Sequence, residues 1–159
     1  MVSVRTIIEN DIPDVLSLMG QYRLQYPNFV KYLYPTRWSD FLSHNGFDNS
    51  EYIVAVNEDS EVLGHAGFLY NSELKMPEIV GVVVSQNYSK QGIGKELIKT
   101  LCSHLQEKGQ DKVILFTLGH PENKGTIHFY KSIGFQLINT ELDFFTKGFS
   151  RVTFIKELI

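Results

Sequence analysis

The sequence predicts an α/β fold built on a mixed β-sheet, and three observations support this prediction. A strand–helix–strand–helix order runs through residues 78–134, and hairpins are expected on both sides of it. The run at 79–84 is nearly all β-branched and too apolar for a surface strand. The apolar stripe that follows repeats at helical spacing. Residues 78–118 should therefore form a right-handed parallel crossover.

The helix after this central strand is predicted over residues 92–108. Its apolar stripe advances mainly in steps of three and four residues, and Gly109 stands where a left-handed C-terminal cap is expected. The stripe consists of Ile93, Leu97, Ile98, Leu101, Cys102 and Leu105. Cys102, the single cysteine, is therefore predicted to pack in the core rather than to act as a nucleophile.

The remaining elements are expected to complete a single domain over residues 1–159. Asp11 is predicted to cap a first helix, and Gly134 is predicted to end a helix over 123–133. His65 falls inside a strand and is interpreted as a hydrogen-bonded structural histidine. With the central strand, six further segments bring the sheet to about seven strands: 2–8, 52–57, 62–70, 112–118, 135–142 and 149–158.

Composition and charge argue against several classes of partner. The net charge of −3 and a pI of about 5.9 argue against nucleic acid. No apolar run reaches the ~20 residues that a membrane span needs, and the N-terminus carries no signal-peptide pattern. A lone cysteine is typical of a reducing compartment. We therefore expect a cytoplasmic protein that contacts neither nucleic acid nor membrane and holds no metal.

The turn between the central strand and the helix has the features of a phosphate-binding loop. Gly92 and Gly94 fall at the first helical turn, where backbone N–H groups are unpaired and carry partial positive charge. Simple turn formation by these glycines is the alternative. The motif G-x-x-x-x-G-K-[ST] is absent because Ser89 replaces its first glycine and Glu96 its last residue. The dinucleotide motif G-x-G-x-x-G is absent because Leu97 takes the place of its third glycine.

The pattern that remains resembles the pyrophosphate loop of the GNAT superfamily of acyl-CoA-dependent N-acyltransferases, [QR]-x-x-G-x-[GA] after a strand ending in Val. Val84, Gly92 and Gly94 match, whereas Ser89 replaces the long polar first residue, and Lys90 or Lys95 would supply the missing charge. The resemblance implies a sheet that splays beside the central strand, helices on both faces, and acetyl-CoA in the gap. The implied cofactor-binding residues of this region are Val82, Val83, Val84, Ser89, Lys90, Gln91, Gly92, Ile93, Gly94 and Lys95.

Residues 123–135 resemble a second segment of the same family, N-x-x-A-x-x-F-Y-x-x-x-G-F, with Thr126 in place of the alanine. The resemblance implies that Asn123 binds the pantetheine–phosphate arm of the cofactor and that Tyr130 points at its sulfur. A phenol within hydrogen-bond reach can protonate the departing thiolate, and such general acid catalysis contributes roughly 10²–10⁴ in rate. A half-buried core tyrosine is the alternative for Tyr130.

The central strand supplies the remaining candidate groups. Gly81 interrupts a β-branched run, which indicates a bulge or a close approach by a ligand. The resemblance implies that backbone groups of this strand bind the thioester, with the N–H of Val82 or Val83 donating to the developing oxyanion. Glu78 is the candidate base that takes the ammonium proton of the acceptor, and a solvated surface glutamate is the alternative. His120 is a rival base.

The activity implied by this resemblance is direct transfer of an acetyl group from acetyl-CoA to a primary amine of an unidentified small molecule or protein. Residues 22–47 would form one wall of the acceptor site. They are unusually aromatic, and Pro27 and Pro35 interrupt them, which predicts short helices joined by turns. A catalytically inactive coenzyme A-binding module with a sensing or assembly role is the alternative, and a purely structural domain is a third. The closing strands could build a homodimer.

Overall fold

The structure is a computed structural model that describes residues 1–43 and 49–158. The strands are β1 (Ser3–Thr6), β2 (Ser50–Val56), β3 (Val62–Asn71), β4 (Met76–Val84), β5 (Lys112–Gly119), β6 (Gln136–Thr146) and β7 (Phe149–Glu157). The helices are α1 (Ile12–Gly20), α2 (Asn28–Lys31), α3 (Tyr34–Ser43), α4 (Ile93–Glu107) and α5 (Lys124–Ser132). Short 3₁₀ turns span Glu9–Asp11, Gln86–Tyr88 and Pro121–Asn123. In the described ranges the strands form one seven-stranded sheet in the order β1-β2-β3-β4-β5-β7-β6.

The sheet splits between β4 and β5, as the family resemblance implied. These two strands are parallel, and across the described residues they pair at two positions, Glu78 with Ile114 and Ile79 with Leu115. Beyond these positions β5 stays paired with β7, from Lys112 to Gly119, so it diverges from β4. A wedge-shaped gap therefore opens toward the carboxyl ends of both strands, which is where ligands bind in open α/β sheets.

A β-bulge interrupts β4 at Gly81, as the sequence predicted. His65 of β3 pairs with Val83 and Gly67 pairs with Val80, so Gly81 and Val82 together oppose one residue of β3. Gly81 has φ +66°, and a Cβ atom there would lie 2.9 Å from both the His65 and the Tyr34 rings. Only glycine fits this position without displacing those rings.

Helices cover both faces of the sheet and enclose two separate cores. On one face α4 buries the predicted stripe, including Cys102, against β2–β5, and α5 adds Tyr130 to the same core. On the other face α1 and α3 bury Met19 and Trp38 against β2–β4. Desolvation raises the pKa of Cys102 to about 11, so its thiol stays protonated and inert, as expected for core packing. None of the helices in the described ranges is long and apolar enough to cross a membrane.

Asp11 occupies the N-cap position of α1, as predicted, but its side chain makes no capping hydrogen bond to that helix. Its carboxylate accepts hydrogen bonds from Arg5 Nη1 and Nη2 at 2.7 and 2.9 Å and from the Ile8 N–H at 2.9 Å. Burial opposes ionisation of this carboxyl, but the bonds from Arg5 and Ile8 outweigh it and lower the pKa of Asp11. Helix α1 begins at Ile12, and Pro13 in its first turn has no N–H group that needs a cap.

The aromatic segment folds largely as predicted. Pro27 immediately precedes α2, and Pro35 is the second residue of α3, so the prolines fall at helix starts where a missing N–H costs little. Phe47 and the end of the predicted 22–47 segment lie outside the described residues.

Gly109 and Gly134 adopt φ values of +85° and +101° after α4 and α5, which confirms both predicted caps.

Candidate functional site

A cleft of about 1140 Å³ occupies the gap between β4 and β5. Most of the residues singled out from the sequence meet along its wall: Glu78, Val82, Val83, Val84, Ser89, Lys90, Gly92, Ile93, Gly94, Lys95 and Tyr130. Among the described residues, three others do not line it: Gln91, Asn123 and His120. No group of three or more His, Cys, Asp or Glu side chains within 1–43 and 49–158 could hold a metal ion.

The glycine-rich turn brings the start of α4 to one end of the cleft. Lys90 and Gly92 both adopt the left-handed conformation, with φ +62° and +82°, and α4 begins at the next residue, Ile93. No described side chain caps α4, and the backbone bond that opens the helix runs from the Glu96 N–H to the Gly92 carbonyl at 3.0 Å. The earlier N–H groups of the first turn are therefore available to an anion.

The open edge of β4 is covered by two tyrosines that no sequence motif singled out. The Tyr22 hydroxyl donates to the Val84 carbonyl at 2.6 Å, and the Tyr26 hydroxyl donates to the Val82 carbonyl at 2.7 Å. The Ser85 N–H bonds to β3 on the opposite side, and backbone groups alternate sides along a strand. The backbone N–H and C=O groups of Val82 and Val84 therefore point into the cleft, whereas those of Val83 point toward β3.

Tyr130 projects from α5 into the middle of this region. It is 6% exposed, and its ring packs against those of Phe129, Phe135 and Phe154, with centroids 5.3–5.7 Å away. Its hydroxyl makes no hydrogen bond within the described residues, where no fully buried side-chain polar atom lacks a partner, so the hydroxyl is open to the cleft that the residue lines. Burial, with a smaller contribution from Tyr34, raises the pKa of Tyr130 far above its usual value. The phenol therefore keeps its proton and can donate it.

Tyr26 and Tyr34 add two more neutral phenols to the same centre. Their rings meet edge to face with centroids 6.3 Å apart, and both residues line the cleft. Burial raises the pKa of Tyr34 to about 12 and the pKa of Tyr26 well above its usual value. Near neutral pH the centre of the cleft thus presents uncharged hydroxyl donors instead of phenolates.

Glu78 lies at the narrow end of the wedge, where β4 and β5 still pair. Its Oε1 accepts a hydrogen bond from Asn71 Nδ2 at 3.1 Å, and the side chain is half-buried. Burial raises the pKa of Glu78, although Asn71, Arg37 and Arg151 each oppose the rise. A carboxylate with a raised pKa is a stronger proton acceptor than a solvated one, so this environment suits a general base.

Asn123 is engaged within the protein and is 1% exposed. Its Nδ2 donates to the Leu118 carbonyl at 2.6 Å, which fixes the end of β5 to the start of α5. Its Oδ1 accepts a hydrogen bond from Gln25 Nε2, which also donates to Thr126 Oγ1 at 3.0 Å. The segment that carries Tyr22, Gln25 and Tyr26 therefore contacts both sides of the cleft, β4 on one side and the start of α5 on the other. Cofactor binding by Asn123 stays a prediction.

The two candidate histidines have different surroundings. His120 accepts a hydrogen bond at Nδ1 from the Glu122 N–H at 3.1 Å, and its ring lies over Phe149 with centroids 4.7 Å apart. His65 is fully buried, with both ring nitrogens hydrogen-bonded, to Trp38 at 3.0 Å and to Gly81 at 2.7 Å. This confirms His65 as a structural histidine.

Comparison with known proteins gives a consistent picture. The profile described as the acetyltransferase (GNAT) family matches residues 17–135. An uncharacterized N-acetyltransferase of Methanocaldococcus jannaschii is 27% identical over an alignment of 141 residues, which covers 84% of this chain and 60% of that relative's length.

Two solved structures superpose over nearly the whole fold. A GNAT-family protein from Desulfovibrio desulfuricans has a TM-score of 0.89 at 16% identity, with both chains covered completely. An N-acetyltransferase from Staphylococcus aureus Mu50 has a TM-score of 0.78 at 15% identity, covering 100% of this chain and 99% of that one. At such identities these similarities establish the fold.

Proposed function

The chain belongs to the acetyltransferase (GNAT) family, and from this premise we propose that it transfers an acetyl group from acetyl-CoA directly to a primary amine. The observation that carries this proposal is the splayed gap between β4 and β5. Across the described residues the two strands pair at two positions, and the start of α4 and Tyr130 line the space between them. We further propose that residues 1–159 form one N-acetyltransferase domain.

The residues at the wide end of the cleft fit the diphosphate of acetyl-CoA. The first turn of α4 offers backbone N–H groups and a positive dipole end, and Lys90 and Lys95 line the same wall. A Cβ atom at Gly92 would meet no described atom within 4 Å, so the space beside this turn is open to a ligand. Ser89 would contribute a short hydroxyl where a longer side chain would reach farther.

Acetyl-CoA, when bound, supplies a thioester whose carbonyl carbon is open to attack by an amine. The Val82 N–H lies on the strand edge that faces the cleft, which favours Val82 over Val83 as the donor to the carbonyl oxygen. Such a donor contributes roughly 3 kcal/mol when it is preorganised in a water-excluded site. The protonated Tyr130 would donate its proton to the departing sulfur.

An amine acceptor reaches the cleft mainly as an ammonium ion, with a pKa of about 10.4 for a lysine-like group, so a base must first remove a proton. Glu78 suits this role because it lines the cleft and burial raises its pKa. Among the described residues His120 is not part of the lining, and its Nδ1 is already hydrogen-bonded. These observations favour Glu78 as the base.

The competing function is a coenzyme A-binding module without turnover, and Ser89 is the feature that favours it. Calorimetric titration with acetyl-CoA, combined with a thiol-release assay over a panel of amines, separates the two. Saturable binding together with amine-dependent thiol release is expected for the enzyme. Binding without release for any amine would support the module, and absence of binding would refute both.

A further inference from the structure

The narrow end of the cleft carries one guanidinium and one carboxylate, neither of which has an ion-pair partner among the described residues. Arg37 projects from α3, is half-buried, and lies with its guanidinium carbon 5.0 Å from the centre of the Tyr34 ring. Glu78 accepts from the neutral amide of Asn71. Both side chains line the cleft, and the charge of Arg37 acts on Glu78, but the two form no ion pair. Partly buried charges without partners are typical of sites that bind a charged ligand.

The charges of the lining argue against a polycationic acceptor. Glu78 is the one acidic residue of the cleft wall in the described ranges, whereas Arg23, Arg37, Lys90 and Lys95 are basic. The two lysines flank the start of α4, where the proposed diphosphate would neutralise them. A polyamine or an aminoglycoside would need several carboxylates, and it would be repelled by Arg37.

Three further residues of the cleft lining are large, apolar and unusually exposed. Phe29, Leu33 and Phe145 line the cleft and are 69%, 48% and 48% exposed. Large apolar side chains that cluster at an open cleft indicate a binding surface for an apolar group.

The neighbouring Arg151 is already occupied. It donates to Glu141 at 2.7 Å and lies over the rings of Phe116 and Phe144. Arg37 differs from Arg151 because it lines the cleft and has no ion-pair partner among the described residues, so it is available to bind a carboxylate.

Building on the acetyl transfer proposed above, we propose that the acceptor is a free amino acid with a large apolar side chain. Arg37, held over Tyr34, binds its carboxylate, its amine lies beside Glu78, and its side chain packs on the exposed apolar residues of the rim. A zwitterion neutralises both unpaired charges at once, which neither a simple amine nor a polyamine does.

The chemistry balances with groups already in place. The transfer forms the C–N bond of an N-acetyl amino acid and breaks the C–S bond of the thioester. The ammonium group loses two protons. Glu78 takes the first and passes it to solvent. The second replaces the proton that Tyr130 gives to the thiolate, so Tyr130 ends the cycle protonated. No oxidant, reductant or metal is required.

The test compares three acceptors that share a phenyl ring and an amine but differ in the carboxylate, and it adds spermidine as a polycation. Thiol-release rates are measured with L-phenylalanine, L-phenylalaninamide, 2-phenylethylamine and spermidine. We expect kcat/KM for phenylalanine to exceed the others by at least about 10-fold. The amine of phenylalaninamide is less basic than that of phenylalanine, so more of it is unprotonated at neutral pH. A preference for phenylalanine would therefore not be explained by the fraction of reactive free amine. Equal or greater kcat/KM for the amide, for phenylethylamine or for spermidine overturns the proposal.

The variant Arg37→Gln tests the carboxylate contact directly. It should lower kcat/KM for phenylalanine by roughly 10- to 100-fold, mainly through KM, and change that for phenylethylamine less than about 3-fold. Arg37→Lys should recover part of the loss because it restores the charge. Lys99→Gln, the same charge change on the exposed face of α4, should leave both acceptors unaffected. An equal loss for both acceptors in Arg37→Gln refutes the contact.

Direct binding distinguishes failure of this inference from failure of the proposed function. L-phenylalanine, L-leucine, L-methionine and L-tryptophan are titrated calorimetrically into the protein in the presence of coenzyme A. If coenzyme A binds but none of these amino acids does, the acceptor proposal fails, and acetyl transfer stands when another amine releases thiol. If coenzyme A does not bind and no amine releases thiol, acetyl transfer itself fails. Saturable binding of at least one amino acid that Arg37→Gln weakens supports the acceptor site in either case.

Discussion

The imidazole of His65 donates from Nδ1 to the carbonyl oxygen of Gly81 at a distance of 2.7 Å. The tautomer follows from the other ring nitrogen, because Nε2 lies 3.0 Å from Trp38 Nε1, which can only donate. A neutral, fully buried histidine thus ties β3 to the bulge of β4. The bulge places Val82 on the open edge of the strand, so His65 and Trp38 together stabilise the backbone geometry of the cleft.

Replacing His65 with leucine should destabilise the fold. The substitution keeps a similar volume but leaves the Gly81 carbonyl and the Trp38 N–H without partners inside the core. Each of these two unsatisfied buried groups costs about 1–3 kcal/mol, so the free energy of unfolding should fall by roughly 2–6 kcal/mol in urea denaturation. The control His104→Leu removes a partly exposed side-chain hydrogen bond to Glu51 and should cost about 1 kcal/mol or less. Equal effects of the two variants would show that the bonds of His65 contribute little.

The same residue predicts how stability depends on pH. Burial lowers the pKa of His65 from 6.5 to about 4, although the Gly81 bond and Asp11 oppose the shift. Between pH 6.5 and 4 the unfolded chain therefore binds a proton that the folded protein does not, and stability falls as pH falls. This titration contributes up to about 3 kcal/mol, and His65→Leu lacks it. The difference in unfolding free energy between the two proteins should therefore shrink as the pH is lowered through this range, and a constant difference would contradict the shift.

Local patterns predicted those elements whose structure depends on nearby residues. The stripe of α4, the bulge at Gly81 and the caps at Gly109 and Gly134 each follow from a few adjacent residues and formed as expected. The splay between β4 and β5 was implied by the family resemblance, since no local pattern distinguishes a paired from a diverging strand edge. The side-chain cap predicted for Asp11 did not form, because Arg5 in the preceding strand and the Ile8 N–H bind the carboxylate instead.

Contacts between distant residues account for what the sequence did not reveal. Tyr22 bonds to Val84, 62 positions away, and Gln25 bonds to Asn123, 98 positions away. An aromatic-rich stretch signalled a wall of the site, but no periodicity could identify which tyrosines reach the β4 edge. The pairing of Asn123 with Leu118 was equally hidden, because a buried asparagine and a ligand-binding one have the same local sequence.

A negative charge at the start of α4 should weaken acetyl-CoA binding. In Gly92→Asp the carboxylate would oppose the diphosphate proposed for this site, so the dissociation constant should rise at least about 10-fold at low salt and less at high salt. Gly148→Asp is a matched control, since Gly148 has φ +85° and Gly92 has φ +82°. At both positions an added Cβ meets no described atom within 4 Å, so the backbone strain is similar. Equal affinities of the two variants would place the diphosphate elsewhere.

The variants Glu78→Gln and His120→Gln should identify the base. In Glu78→Gln the new side-chain amide can still accept from Asn71 but cannot take a proton, so kcat/KM near neutral pH should fall by roughly 10²–10⁴. His120→Gln should change it less than about 3-fold. The difference in kcat/KM between Glu78→Gln and the unmodified protein should narrow as pH approaches the pKa of the amine, because a larger fraction of the acceptor is then already deprotonated. A large loss in His120→Gln with a normal Glu78→Gln would reverse the assignment.

Replacing Tyr130 with phenylalanine should lower turnover without changing the affinity for acetyl-CoA. Its hydroxyl makes no hydrogen bond within the described residues, so its removal leaves no orphaned partner, and the free energy of unfolding should change by about 0.5 kcal/mol or less. The ring contacts with Phe135 and Phe154 are retained. We expect kcat to fall by roughly 10²–10⁴, because the leaving thiolate loses its proton donor.

Kinetics, calorimetry and denaturation of Tyr130→Phe separate a catalytic from a packing role for Tyr130. Tyr32→Phe is the control, since Tyr32 is 67% exposed and does not line the cleft of the described chain. Unchanged kcat would show that Tyr130 takes no part in the chemistry and only packs in the core that it shares with Phe154. A higher dissociation constant for acetyl-CoA with normal kcat would indicate that the hydroxyl binds the cofactor equally in the ground state and in the transition state. Loss of kcat at constant affinity and stability is the result that proton donation requires.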